Sequence, residues 1–174
     1  MGIDPGVAST GFGVVRFDGG RMSALDGGVI ETPAALDPGR RLARIHGAVS
    51  DLLDRHEPDS VALEDIYFGR NVRSAVAVGQ ARGVVMLAAA QAGLECFDYT
   101  PQAVKMAVCG TGGASKAQVQ RMVGALLGLE GPPSSDHAAD ALAVAICHGN
   151  RAAFELAAGA SQQASQAQAA GVAP

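Results

Sequence analysis

The first third of the chain alternates short apolar runs with glycine-rich turns. Three of these runs, Met1–Asp4, Gly11–Phe17 and Ser23–Ile30, have the length and the β-branched or aromatic content of strands. Asp18–Gly20 separates the second run from the third, and its Asp-Gly-Gly sequence is typical of a hairpin turn. The pattern therefore predicts that the fold begins as an antiparallel meander.

Apolar spacing changes to a helical period after residue 37. Within Pro38–Glu57 the apolar residues recur every three or four positions, as at Ile45, Val49 and Leu52, which predicts a helix that covers the sheet and ends near Pro58. Further strands are predicted at Ser60–Glu64 and Leu94–Tyr99, and further helices at Asn71–Ala92, Gln102–Val108, Lys116–Leu127 and Asp136–Leu156.

The helix predicted at Asn71–Ala92 consists largely of alanine, glycine and valine. Small side chains recur on one of its faces, where they allow another backbone to approach closely. The residues of this face are Val72, Val76, Gly79, Gly83, Met86 and Ala90. The pattern leaves two interpretations open, a core-facing surface or a contact between two copies of the chain.

Length and composition indicate one folded domain. The chain has 174 residues, of which 48% are hydrophobic and 17% charged, enough for one core but not for two. We place the domain at residues 1–157 and expect the Ala/Gln/Ser-rich segment 158–174 to be a disordered tail. No apolar run approaches the length that spans a membrane, and no signal peptide is recognisable, so we expect a cytoplasmic protein. The odd number and wide spacing of its three cysteines predict buried, reduced thiols.

The charge of the chain is unevenly distributed. The whole sequence carries a formal net charge of -4. Between residues 66 and 129, however, six cations stand against two acids and leave a positive stretch. The cations are Arg70, Arg73, Arg82, Lys105, Lys116 and Arg121. Such a stretch is either a solvated helix surface or a nucleic-acid contact, and charge alone does not separate the two.

Acidic residues stand at unusual places in this pattern. Asp4 and Glu64 each end a predicted buried strand, and Asp140 lies inside the apolar run of the last helix. An ionised carboxylate in a core is costly unless it is paired or binds a metal. Asp136 and His137 stand three or four residues before Asp140 and can face the same point. The set predicts a site for two divalent ions, although Asp4 as a turn residue and Asp136 as a first-turn acid are the simpler structural alternatives.

Several motifs then occur in a fixed order: GIDPG, TGFGVV, ALEDIYFGRN, GQARG, GTGGASKAQVQRMV and DHAADALAVAICH. Together, from Met1 to about Asn150, they resemble the RuvC family of bacterial Holliday-junction resolvases. The resemblance implies an α/β fold of the ribonuclease-H-like type, with a mixed sheet flanked by helices in a single domain. It also implies a homodimer that makes two symmetric, metal-dependent cuts in four-way junction DNA. RuvA and RuvB, the branch-migration motor, are the further partners that it implies.

The resemblance also implies roles for individual residues. The catalytic and metal-binding positions fall on Asp4, Glu64, His137 and Asp140, with two Mg²⁺ ions, or Mn²⁺ in their place. The DNA-binding positions fall on Tyr67, Phe68, Arg70, Arg73, Lys105 and Lys116, with Tyr67 as the stacking aromatic. Many relatives have Asp where this chain has His137. This histidine is therefore either a ligand, which would suit manganese, or a proton shuttle.

Two other classes of function remain open at this point. GIDPG also resembles the first phosphate loop of sugar kinases and actin-like ATPases, but no second glycine-rich acidic loop accompanies it. A junction-binding module without catalysis is the other alternative, and the retained acids argue against it.

Overall fold

The protein is described by a computed structural model that covers residues 1–65 and 72–170, with the side chains of residues 72–74, 157 and 159–170 left out. Five strands are present in the described residues: β1 (Gly2–Asp4), β2 (Ser9–Asp18), β3 (Arg21–Glu31), β4 (Val61–Glu64) and β5 (Cys96–Tyr99). They form one sheet in the order β3-β2-β1-β4-β5. The β1–β2 and β2–β3 pairs are antiparallel, and the β1–β4 and β4–β5 pairs are parallel.

The β2–β3 hairpin confirms the predicted meander. Its turn is made by Gly19 and Gly20 with φ of 54° and 85°, values that favour glycine because a side chain would be strained there. The register between the two strands shifts after Val14, which marks a bulge in the ladder.

The helices cover both faces of the sheet. They are α1 (Pro38–His56), α2 (Val72–Gln91), α3 (Pro101–Cys109), α4 (Lys116–Leu126) and α5 (Asp136–Ala170). Helices α1 and α2 pack together over one face, in a core that contains Ile3, Ile45 and Leu63. Helices α3, α4 and α5 cover the other face around Val123 and Ile146. The result is a three-layer α/β arrangement with the short strand β1 at the centre of the sheet.

Side-chain caps explain where three of the helices begin. Asp37 accepts a hydrogen bond from the Arg40 N–H at the start of α1, and Thr100 does the same for α3. Ser115 and Gln118 form a reciprocal capping box at the start of α4. These caps satisfy backbone donors that have no partner inside the helix, and so determine the position of the residues that follow.

Helix α5 lies unusually close to the sheet because glycines stand beneath it. A Cβ atom added to Gly2 would come within 2.1 Å of the Ala141 carbonyl oxygen. One added to Gly11 would come within 2.0 Å of the carbonyl oxygen of His137. Only glycine permits this approach, and it brings the first turns of α5 against the ends of β1 and β2.

A hydrogen-bonded chain ties the middle of α5 to the sheet. The two ring nitrogens of His148 lie 2.7 Å from Ser60 Oγ and 2.8 Å from the Tyr99 hydroxyl. The ring also stacks on Phe97, with 4.6 Å between the centroids. His148 therefore has a structural role, because it joins α5 to the ends of two neighbouring segments of the sheet.

The structure corrects one expectation and bears on one alternative that the sequence left open. Helix α5 continues to Ala170, so the backbone of residues 158–170 is helical and not disordered, while residues 171–174 lie outside the described part. Alanine and glutamine favour helix, and lengthening an existing helix avoids the cost of nucleation. The small-residue face of α2 is exposed at Val76, Gly83 and Met86. These three residues are therefore not part of this chain's core. The domain boundary at residue 157 stays a prediction.

Two further features follow from the described residues. The three cysteines are free, as expected, but only Cys147 is fully buried, and Cys96 and Cys109 are half-buried. Within residues 1–65 and 72–170, no helix is long and apolar enough to cross a membrane.

Candidate active site

Two acidic residues meet where neighbouring parallel strands end. Ile3 of β1 is in register with Leu63 of β4, so the next residues, Asp4 and Glu64, come side by side at the same edge of the sheet. Both side chains are half-buried. The carboxyl ends of adjacent parallel strands are where α/β folds usually place functional groups. The strand register therefore supports the prediction that these two acids belong to one site.

Helix α5 adds His137 and Asp140 to this edge. Gly11 pairs with Asp4 across the β1–β2 ladder and lies directly beneath the His137 backbone. As a result, His137 Nδ1 comes to 2.7 Å from Asp4 Oδ2. Asp140 lies one turn further along the helix, with 28% of its side chain exposed. The close approach that Gly11 permits therefore brings His137 and Asp140 of α5 to the acids at the strand ends.

Burial and neighbouring charges raise the pKa of two carboxyl groups of the site, Glu64 and Asp140. Burial raises the pKa of Glu64 to about 7, and the charges of Asp4 and Asp140 add to the rise, while Lys116 and Lys105 oppose it. Burial also raises the pKa of Asp140, even though Lys116 donates a hydrogen bond to it. Three acids crowded in a partly desolvated place make a negative potential that favours a bound cation.

A lysine lies inside this acidic cluster. Lys116 Nζ is 3.2 Å from Asp140 Oδ2 and 3.2 Å from Asp136 Oδ2. Lys116 and Lys105 also line a cleft of about 200 Å³ together with Asp140. The family resemblance implied both lysines only as DNA contacts. The ion pairs of Lys116 were not predicted, because Lys116 is distant in sequence from Asp136 and Asp140.

The backbone at Glu64 is held by an arginine that sequence reasoning did not assign. Arg82 of α2 donates from Nη1 to the Glu64 carbonyl oxygen over 3.1 Å and forms an ion pair with Asp98 of β5. Its side chain is only 12% exposed. The available signal was the GQARG motif, because a cation between small residues of a mostly apolar helix needs a polar partner where it is buried.

The loop after Asp4 is held by three side chains that the sequence also did not single out. The buried Thr10 hydroxyl donates to the Gly6 carbonyl oxygen over 2.7 Å. Thr32 Oγ1 and Arg41 Nη2 both donate to the carbonyl oxygen of Val7, over 2.5 and 3.2 Å. These contacts restrict the backbone directly after Asp4, and therefore the position of its carboxylate.

Several predicted site residues cannot be placed. Tyr67, Phe68 and Arg70 lie outside the described residues, and only the backbone of Arg73 is described, in the first turn of α2. Among the described side chains, no three His, Cys, Asp or Glu residues form a preassembled metal site. Asp4 and Asp140 are instead directed to His137 and Lys116.

Comparison with known proteins identifies the family. A family profile described as crossover junction endodeoxyribonuclease RuvC matches residues 1–148. The chain belongs to the RuvC family. The RuvC of Moorella thermoacetica is 53% identical over 148 residues, which are 85% of this chain and 89% of the relative. Thermus thermophilus RuvC has a solved structure with a TM-score of 0.83 and 39% identity, covering 88% of this chain and 95% of that one. A second structure of RuvC from that organism, in complex with a Holliday junction substrate, gives a TM-score of 0.85 at 40% identity over 88% and 94% of the two chains.

Membership of the RuvC family decides the enzyme class. The protein is a DNA endonuclease of the crossover junction type, with the ribonuclease-H-like fold that the resemblance implied. The sugar-kinase and actin-like alternatives, which rested on GIDPG alone, are therefore set aside. Nucleases of this family depend on metal ions.

Proposed function

We propose that this RuvC-family chain resolves four-way DNA junctions by two symmetric phosphodiester cuts, with Asp4, Glu64, His137 and Asp140 as its reactive residues. The observation that carries the assignment is the convergence of three acids from β1, β4 and α5 at one edge of the sheet. The Thermus RuvC complex, whose partner is a Holliday junction substrate, supports the choice of substrate.

The metal is proposed to be Mg²⁺, as two ions held by the oxygens of Asp4, Glu64 and Asp140. Carboxylates are the ligands that Mg²⁺ prefers. The pKa of Glu64 is raised by burial and by the charges of Asp4 and Asp140, and a bound cation would offset both effects. Bound divalent ions of this kind activate water and stabilise charge on phosphate oxygens. Mn²⁺ is the alternative, because His137 adds a nitrogen donor to the set.

His137 is proposed to act through Nε2. Its Nδ1 lies against Asp4 Oδ2, and a carboxylate at that distance favours the tautomer with the proton on Nδ1. Nε2 is then free of a proton and can either bind a metal or accept a proton from the attacking water. His137→Ala separates these roles: a raised half-saturating metal concentration indicates a ligand, and a lower rate at unchanged metal dependence indicates a proton shuttle.

Four cations of the positive stretch are proposed to bind the DNA backbone. Lys105 and Lys116 line a cleft together with Asp140, which supports a role for both cations in binding a phosphate at the acidic edge. Arg70 and Arg73 are proposed to extend this contact, and Tyr67 and Phe68 to stack on bases near the crossover. Lys105→Ala should weaken junction binding and lower its salt dependence by about one counterion. An unchanged salt slope would assign Lys105 to a solvated surface.

A homodimer is proposed because a four-way junction presents two equivalent strands. The exposed apolar face of α2 includes Val76 and Leu87, which are 56% and 51% exposed, with Gly83 between them. A face of this kind on a helix suits an isologous contact across a two-fold axis. RuvA and RuvB are proposed as the partners that hold and move the junction. The proposed location of the protein is the cytoplasm.

The test of this function is a nuclease assay on a synthetic four-way junction. Asp4→Asn, Glu64→Gln and Asp140→Asn should each reduce cleavage by at least about a thousandfold while junction binding remains, because binding depends on the lysines and arginines and not on the acids. Asp51→Asn, an exposed acid on α1, is the matched control and should cleave normally. A variant of the first three that cleaves at the wild-type rate removes its residue from the site. ATP hydrolysis in place of cleavage would reject the assignment.

A further inference from the structure

We propose that Lys116 is the internal counter-ion of the catalytic acids, and that it competes with divalent cations for Asp140. This inference rests on the proposed role of Asp140 as a metal ligand. It adds a second role to a residue that the family resemblance assigns to DNA alone. It also predicts that metal affinity in this enzyme is limited by one of its own side chains.

The position of Lys116 in α4 is electrostatically unfavourable on its own. Ser115 is the N-cap, with a capping box to Gln118, so Lys116 is the first residue of the helix. The N-terminus of a helix carries a partial positive charge and favours acids over cations. A lysine there needs compensation from outside the helix, and Asp136 and Asp140 are the compensating groups.

The geometry shows how one ammonium serves two acids. Asp136 and Asp140 are four residues apart on α5, so both carboxylates face the same side of that helix. Lys116 Nζ lies 3.2 Å from an oxygen of each. Asp140 is the less exposed of the two, at 28% against 60%, so its attraction to a cation is less screened by water.

A divalent cation on Asp140 would meet this ammonium directly. A metal that coordinates Oδ2 lies close enough to the oxygen to be repelled by a lysine charge on the same atom. Lys116 must therefore leave Asp140 when the ion binds. Because Lys116 lies about half exposed at the mouth of the cleft, the released ammonium can turn to a DNA phosphate. The ion pair and the phosphate contact are then alternative positions of one side chain.

Lys105 provides the matched control. It lines the same cleft as Lys116 and Asp140, and its charge also acts on Glu64. Among the ion pairs of the described residues, however, none involves Lys105. Removal of the Lys105 charge therefore changes the electrostatic potential at the site, but it does not remove a group that is bound to Asp140.

The experiment is a calorimetric titration of the full chain with MnCl₂ and with MgCl₂, without DNA. Lys116→Met should bind the ions at least about fivefold more tightly than wild type, because repulsion at contact distance is lost. Lys105→Met should change the affinity by less than about twofold, since its charge is more distant. Thermal unfolding with added ion should show a larger stabilisation of Lys116→Met than of wild type, which is a second measure that does not depend on cleavage.

The outcomes separate this inference from the function on which it rests. Unchanged affinity in Lys116→Met, or an equal gain in both lysine variants, would overturn the competition. Asp140→Asn should abolish the tight ion-binding step. If it binds as wild type does, then Asp140 is not a ligand and the premise itself fails, whatever the lysine variants show. Thermal unfolding of each variant without ions verifies that it is folded.

Discussion

Gly11→Ala is the substitution that should most directly separate the catalytic groups. Gly11 lies between Asp4, its partner in the β1–β2 ladder, and the backbone of His137. An added Cβ would lie 2.0 Å from the His137 carbonyl oxygen and 2.5 Å from its carbon. These are backbone atoms of a helix, which cannot rotate away as a side chain can, so the start of α5 must move.

The size of the movement follows from the distances. Ordinary contact begins near 3.4 Å, so the 2.0 Å approach requires a shift of about 1.4 Å between β2 and the start of α5. Overpacking of this kind costs ~1–3 kcal/mol of folding free energy. Displacement of catalytic groups by ~1 Å costs ~100-fold in rate. Gly11→Ala should therefore fold with reduced stability and lose cleavage by about two orders of magnitude.

The assay is single-turnover cleavage of a labelled four-way junction at saturating metal, beside urea unfolding. Gly27→Ala is the control, because its Cβ would meet Leu142 at 3.4 Å, an ordinary contact, in the neighbouring strand β3. The control should retain cleavage. Cleavage by folded Gly11→Ala within about threefold of wild type would refute the argument that this glycine positions the site. An equal loss in the control would refute it too.

Three further predictions follow from the same contacts. The pKa of Glu64 is raised from about 4.5 to about 7, so the folded state binds a proton that the unfolded state has lost, and stability should fall as the pH rises through that window. Glu64→Gln should remove this fall. In urea unfolding with a chelator, its free energy of unfolding should exceed that of wild type by about 2 kcal/mol at about pH 8 and by almost nothing at about pH 4. The value of about 2 kcal/mol allows for partial solvent screening. Arg82→Met should lower the cleavage rate about tenfold, because its hydrogen bond to the Glu64 carbonyl oxygen is lost. Junction affinity in a gel-shift titration should stay constant, and a loss of affinity without a loss of rate would contradict this prediction. Leu87→Asp should convert a dimer into a monomer in sedimentation, whereas Leu25→Asp, similarly exposed on β3, should not; a wild type that is already monomeric would contradict the dimer.

Much of the site could be predicted because its signals are local. Asp4 and Glu64 each interrupt the apolar pattern of a strand, and Asp140 interrupts that of a helix, so each carries its own anomaly in the sequence. Strand and helix periods are set by neighbouring residues, and acids at the ends of buried strands need a partner wherever the chain leads. The order of elements and the chemical type of the site were therefore accessible from the sequence.

Other features depended on contacts between distant parts of the chain. Lys116 shows no anomaly in sequence, and its pairing with Asp136 and Asp140 exists only because α4 and α5 pack on the same face of the sheet. Arg82 likewise reaches Glu64 across eighteen positions. Propensity likewise did not predict the end of α5 correctly, because the Ala/Gln composition that suggested disorder also favours the lengthening of a helix that already exists.

The sequence by itself determined the elements, the glycines at the hairpin turn and the acids that need a cation, since each follows from short-range sterics or from the cost of burying charge. Only the tertiary structure decided which charges meet and which apolar face of α2 stays exposed. Those outcomes depend on angles and distances between elements far apart in sequence. Packing determines these to within an ångström, whereas the periodicity of a single element carries no information about its neighbours.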